Sequence, residues 1–219
     1  MTVHEDVEAR PKRRRAETVE RLLDAALETF AEVGFAAASV EDICRRGGFT
    51  RGAFYSSFRT KDELFAALYA RETSRDLERV EHQLAGIEQE ADPVGAAIER
   101  CLSTMRADRT WVLVQAEYTL HAARHPGAAA LLHEHAAALH ARLSALIDDT
   151  AARAGMPLAV PAGQLARIVL ALHDGVVLQQ VSVPEPTATD LRKTHPTHPA
   201  ANDLERTALL LLLRAVTTD

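Results

Sequence analysis

Cysteine is almost absent from this chain: Cys44 and Cys101 are the only two in 219 residues. Two thiols cannot frame a chain of this size, so a disulfide scaffold is excluded. Aromatic residues are also scarce, at 5% of the total. The longest apolar run, TALLLLLRAV from Thr207 to Val216, is far too short to span a bilayer. The polar opening, MTVHEDVEARPKRRR, has no apolar core of the signal-peptide kind. A cytoplasmic protein without a membrane segment is therefore expected. Three sequence signs of catalysis are missing as well: a phosphate-cradling glycine loop, a nucleophile elbow and HExxH. Strand-like alternation is missing from the first ninety residues.

What is present favours helix. Alanine and leucine dominate, and apolar residues make up 47% of the chain. The net charge is −6, but its distribution is uneven. Residues 9–61 hold 11 Lys and Arg against 7 Asp and Glu, so this segment is basic within an acidic protein. The densest basic feature is RPKRRR, Arg10 to Arg15, expected to be a flexible arm within residues 1–15.

Helical periodicity then carries Val19, Leu22, Leu23, Ala26, Leu27, Phe30 and Val33 along one face from Ala16, and Gly34 stops the helix. Ser39 with Asp42 three residues on resembles a capping box and starts a short second helix, which Gly47-Gly48 ends. Thr50 caps a third, RGAFYSSF. Lys61-Asp62-Glu63 opens a long fourth helix bearing Leu64, Leu68, Leu77, Leu84 and Ile87. Further helices are expected from Pro93, over Trp111–Ala123, Ala128–Ala154, Pro161–Val181 and Ala201–Val216. A proline-rich loop, VPEPTATDLRKTHPTHP, precedes the last of these. The total is about nine helices and no sheet, an all-α fold.

Two short helices across a glycine turn make a helix-turn-helix, whose second helix enters the major groove of DNA. Val40 and Ile43 of the brace should pack inward with Phe54 and Phe58. Thr50 caps the recognition helix where its hydroxyl and the helix dipole both suit a phosphate. Arg51 can present a guanidinium to the paired acceptors of guanine. Gly52 lets the backbone approach the groove. Tyr55 and Lys61 are expected at phosphates, with Ser39, Ala53 and Ser56 on the same DNA-facing side and Arg14 and Arg15 adding contacts from the arm.

These residues carry a resemblance. The stretch GFAAASVEDICRRGGFTRGAFYSSFRTKDELFAALY is similar to the DNA-binding region of the TetR family of bacterial transcription regulators, with matching positions from about Thr18 to Tyr69. The family's positions for Thr50, Tyr55 and Lys61 meet phosphates, and those for Arg51 and Gly52 lie against bases. Cys44 departs from the family's usual alanine and reads as a small packing residue. The resemblance implies an N-terminal three-helix DNA-binding domain (16–60) and a C-terminal helical ligand-binding and dimerisation domain (61–219). It also implies a homodimer through the last two helices, a palindromic double-stranded operator, and repression relieved by a small-molecule effector.

A pocket between helices should be apolar with a few polar groups that fix a ligand. Met105, Trp111, Gln115, Tyr118, His121, His135, His173 and Gln179 interrupt apolar helix stretches and are the candidate lining. The ten histidines include His121 and His125 at i, i+4, but no acidic or thiol partners complete a metal-ligand set, so neither metal nor other cofactor is expected. Two other readings remain: a helical ligand- or protein-binding module without an operator, and an enzyme using Glu117 and His121 as acid and base.

Overall fold

The computed structural model describes the backbone of residues 5–104, 109–181 and 199–217, and the side chains of 15–103, 109–181 and 204–217. Among these residues there are nine α-helices and no strand. They are α1 (Glu5–Val33), α2 (Val40–Gly47), α3 (Arg51–Tyr55), α4 (Lys61–Gln83), α5 (Pro93–Thr104), α6 (Arg109–Ala122), α7 (Pro126–Arg153), α8 (Ala162–Val181) and α9 (Pro199–Val216). A 3₁₀ turn, Ile87–Gln89, follows α4. The expected order is thus found, with two differences near the N-terminus. Helix α1 begins at Glu5, so the described part of the expected flexible arm, residues 5–15, is helical. Glu, Ala, Lys and Arg, all strong helix formers, extend the helix through Arg10–Arg15 despite Pro11. Helix α3 ends at Tyr55, a turn short of Phe58, where Ser56 N–H bonds back to Gly52.

The chain forms two compact units. One comprises residues up to Arg71 together with Leu113–His135; the other comprises Glu72–Val112 and Ala136 onward. The division falls inside α4, not at residue 60, because the first turns of α4 belong to the same core as α1. Leu64, Phe65 and Leu68 are fully buried there with Leu22, Ala26 and Phe30. Val33, expected on that apolar face, is instead 48% exposed at the helix end. Gly34 follows with φ +81°, a conformation open to glycine at little cost.

The second half of α6 completes this first core. Tyr118 is fully buried, stacked on Phe65 at 3.6 Å between ring centres and edge-on to Phe35 at 4.8 Å. Phe30 and Phe35 extend the cluster. Four of the chain's ten aromatics, Phe30, Phe35, Phe65 and Tyr118, therefore sit in one place, where each adds a large buried area. Arg71, whose side chain is nearly buried, ties α4 to α1 through Asp24 at 2.8 Å and Glu20 at 3.4 Å.

The second unit has its own core, in which Leu77, Leu84, Ile87, Ile98, Leu165, Val176 and Leu209 are buried. Helix α9 packs on α5 and α8. Its end is fixed by an Ala159 N–H to Val216 carbonyl bond of 2.7 Å. No helix of the described residues is long and apolar enough to cross a membrane.

Candidate nucleic-acid interface

The interface is built on the α2–turn–α3 segment. Ser39 is the N-cap of α2: its hydroxyl accepts from Asp42 N–H at 3.1 Å, and the Asp42 carboxylate accepts from Ser39 N–H at 3.2 Å. This reciprocal pair is the capping box that the spacing suggested. Hydrogen bonds from the Ser39 side chain and backbone hold the Asp42 carboxyl below its ordinary value. Gly48 closes α2 in the left-handed conformation, φ +71°, and its N–H bonds Arg45 and Cys44 carbonyls.

The turn delivers α3 with Thr50 as N-cap, whose hydroxyl accepts from Ala53 N–H at 3.2 Å. Only Phe54 of this helix is fully buried, and it packs on Phe58 at 5.9 Å between ring centres. Ile43 is also fully buried, while Val40 is half-buried. Two apolar anchors thus fix a helix of five residues that could not persist alone. The other side is left free: Thr50, Arg51, Gly52, Tyr55 and Ser56 are exposed, and Ala53 is half-exposed.

Gly52 has no reason within the chain to be glycine. A Cβ there would meet only the Thr50 hydroxyl oxygen, at an ordinary 3.7 Å. The small residue leaves the helix face flat toward whatever approaches it from outside. Arg15 reaches this end from α1, donating to the Ser56 carbonyl at 3.2 Å. The side chain of Arg14 lies outside the described residues.

Lys61 departs from the sequence reading. Its ammonium turns inward, donating to the carbonyls of Phe35 at 2.6 Å and Ala38 at 2.7 Å, and lies 4.4 Å from the Phe35 ring centre. The carbonyls of Phe35 and Ala38 lie in the turn between α1 and α2, and the Lys61 ammonium, more than twenty positions on in sequence, supplies a donor to both. Partial burial holds its ammonium below the ordinary lysine value. Arg59 was overlooked: its side chain is 90% exposed just after Phe58. The signal was available, since a cation follows the last anchor of the motif.

Glu41 was overlooked too. Its Oε1 lies 2.7 Å from Nη1 of Arg51, and the Arg51 guanidinium is 5.8 Å from the Tyr55 ring centre. A hydrogen bond to Tyr55, then the Glu41 carboxylate, raise the guanidinium above its ordinary value.

The candidate ligand residues are divided between the two units. Met105 lies outside the described residues. Tyr118 belongs to the first unit's aromatic core, where burial and the neighbouring Asp62 push its phenol up. His121 Nε2 lies 3.0 Å from Asp62, and its ring stacks on His125 at 4.0 Å. These two are core and bridging residues of the first unit because α6 brings them onto Phe65 and the start of α4. Gln115 and His135 are half-buried in the same unit. Trp111, His173 and Gln179 are in the second unit, half-buried for the first two and exposed for the third. His173 pairs with the buried Glu205 at 2.9 Å, a partner that sequence spacing could not suggest across 32 positions. An open cleft of about 510 Å³ in this unit is lined by Asp148, Met156, Leu158 and Pro161 and contains none of the eight candidates. The acid–base pair dissolves as well: the Glu117 carboxylate accepts the Phe35 N–H at 2.7 Å, while His121 engages Asp62.

Comparison with known proteins agrees with this geometry. Residues 22–68 match the family model of bacterial regulatory proteins of the tetR family, and residues 91–198 match that of the BetI-type transcriptional repressor C-terminal domain. An HTH-type transcriptional regulator of Mycobacterium tuberculosis is 38% identical over 87 residues, which is 40% of this chain and 45% of that protein. The match thus spans less than half of such curated relatives. Salmonella enterica GusR superposes with a TM-score of 0.66 at 26% identity, covering 90% of this chain and 96% of that one. A regulator from Saccharomonospora viridis in complex with choline has the same fold, with a TM-score of 0.60 at 18% identity over 93% and 100% of the two chains.

Proposed function

From a chain that belongs to the TetR family of bacterial transcriptional regulators, we propose a homodimeric repressor that binds a palindromic operator and releases it when a small molecule enters the second unit. The observation that carries the DNA-binding reading is the two-sidedness of α3. Phe54 is fully buried while Arg51, Gly52 and Tyr55 lie open beside the cap of Thr50. A helix held by one residue and otherwise offered outward is a reading head. Arg51 reads a base edge, Tyr55, Thr50, Arg15 and Arg59 meet phosphates, and Gly52 lets the backbone come close.

The effector site lies in the second unit. Trp111, His173 and Gln179 are the candidates left there, and the pair of His173 with buried Glu205 supplies polar groups that can orient a ligand. Effector and operator then weaken each other's binding by the same factor. Electrophoretic mobility shift with full-length protein and the DNA upstream of its own gene tests the first half. A specific, salt-sensitive complex is expected, and Arg51→Ala should lower its sequence preference by relaxing the base pair that Arg51 reads. Retention of that preference in Arg51→Ala sinks the reading. Thermal shift with choline and a set of apolar and cationic compounds tests the second half. A ligand that raises the melting temperature must also loosen the operator complex.

A further inference from the structure

Arg51 is ion-paired with an acidic residue on the other helix of the motif. Glu41 stands 51% exposed in the first turn of α2, 2.7 Å from a guanidinium that is itself 62% exposed. At the N-terminus of α2 the Glu41 charge favours the helix dipole, but α2 already has the acid and the cap it needs. Ser39 and Asp42 already cap α2 reciprocally, and Ile43 and Cys44 supply its buried face. A carboxylate at a surface that receives a polyanion weakens every encounter with phosphate, so its place beside the reading arginine calls for a reason.

We infer, on the DNA-binding reading proposed above, that Glu41 is a positioning residue that sets how sharply the protein distinguishes its operator from other DNA. Held between the Glu41 carboxylate and Tyr55, the Arg51 fork keeps one orientation, with little side-chain freedom left to lose on entering the groove. At the matching base pair, the guanidinium donates to guanine in that orientation. At any other sequence the arginine cannot swing freely to a phosphate, because Glu41 competes for it, and the carboxylate faces the backbone unrelieved. Both effects lower non-specific affinity more than specific affinity, and discrimination is the difference between the two.

The test uses full-length protein and duplexes selected by the wild type from a random-sequence pool. Affinities of wild type, Glu41→Gln, Arg51→Ala and the double variant are measured over a salt series. The probes are the selected duplex and a scrambled one of the same composition. Glu41→Gln should bind the scrambled duplex more tightly, by about twofold to fivefold, and its ratio of selected to scrambled affinity should fall about threefold to tenfold. A repeat selection with Glu41→Gln should return one relaxed base-pair position. Glu41→Asp keeps the charge but shortens the reach, so it should lose discrimination without gaining scrambled affinity. In the Arg51→Ala background, Glu41→Gln should leave the ratio unchanged.

Equal gains on both duplexes, or the same change of ratio without Arg51, overturn the inference and leave Glu41 a mere repulsive charge. A wild type that selects no duplex fails the DNA-binding reading and the inference with it. A wild type that selects one, with Glu41→Gln indistinguishable from it, fails the inference alone.

Discussion

At the scale of single residues, adjacent side chains in α3 do opposite work. Phe54 is fully buried and Tyr55 is 50% exposed, so one ring is an anchor of the fold and the next is free for the recognition proposed for it. Phe54→Ala should remove an anchor of the short helix and cost about 3–5 kcal/mol, read from urea unfolding. Tyr55→Phe removes only a hydroxyl from an open position. Its unfolding free energy should stay within about 0.5 kcal/mol of wild type while its DNA affinity falls. A stability loss in Tyr55→Phe matching that of Phe54→Ala would show that both rings are structural. Cys44, buried with its thiol 3.7 Å from the Thr50 carbonyl, behaves as the small packing residue expected of it. Burial raises its thiol above the ordinary value, away from redox chemistry.

At the scale of elements, caps decide where helices start and stop, and caps are short-range signals. This is why the beginnings of α2, α3 and α4 and the stop of α1 at Gly34 were legible in the sequence. The α2 cap makes a prediction with a definite sign. Asp42 has its carboxyl pKa lowered from 3.8 in the folded state. Its contribution is therefore complete above pH 3.8 and is lost as pH falls through the lower folded value. Asp42→Asn should melt below wild type at pH 7, and the gap should close toward pH 3 in paired thermal scans. A gap independent of pH would mean that charge plays no part in the cap. What the sequence did not reveal was long-range. Nothing local told that Glu117 would accept the amide of Phe35, 82 positions away, or that Lys61 would turn to the carbonyls of the α1–α2 turn. Tyr118 looked like a polar interruption of an apolar helix. It is a core ring, because Phe35 and Phe65 from distant segments surround it.

At the scale of the whole molecule, the proposed pairing with a second copy of the chain turns on the apolar residues left in the open on α8 and α9. Within the leucine run of α9, Leu209 is 8% exposed and Leu211 is 69% exposed. Leu204, one heptad before Leu211 on the same helix, is 53% exposed, and Ile168 and Leu178 stand open on α8. An isolated leucine on a surface needs no explanation. Leu204 and Leu211, a heptad apart on one side of α9, are the residues that a second subunit covers on the homodimeric reading proposed above. Two subunits would also supply the two recognition helices that a palindromic operator calls for. Leu204→Glu with Leu211→Glu places like charges from both subunits in that interface. Sedimentation velocity should show the wild type as a dimer and this variant as a folded monomer, with helical circular dichroism retained. Each monomer keeps its own α3, so weak binding to a half-site persists while affinity for the full palindrome drops steeply, because the second contact is no longer tethered to the first. A variant that stays dimeric with full operator affinity would move the subunit contact off α8 and α9.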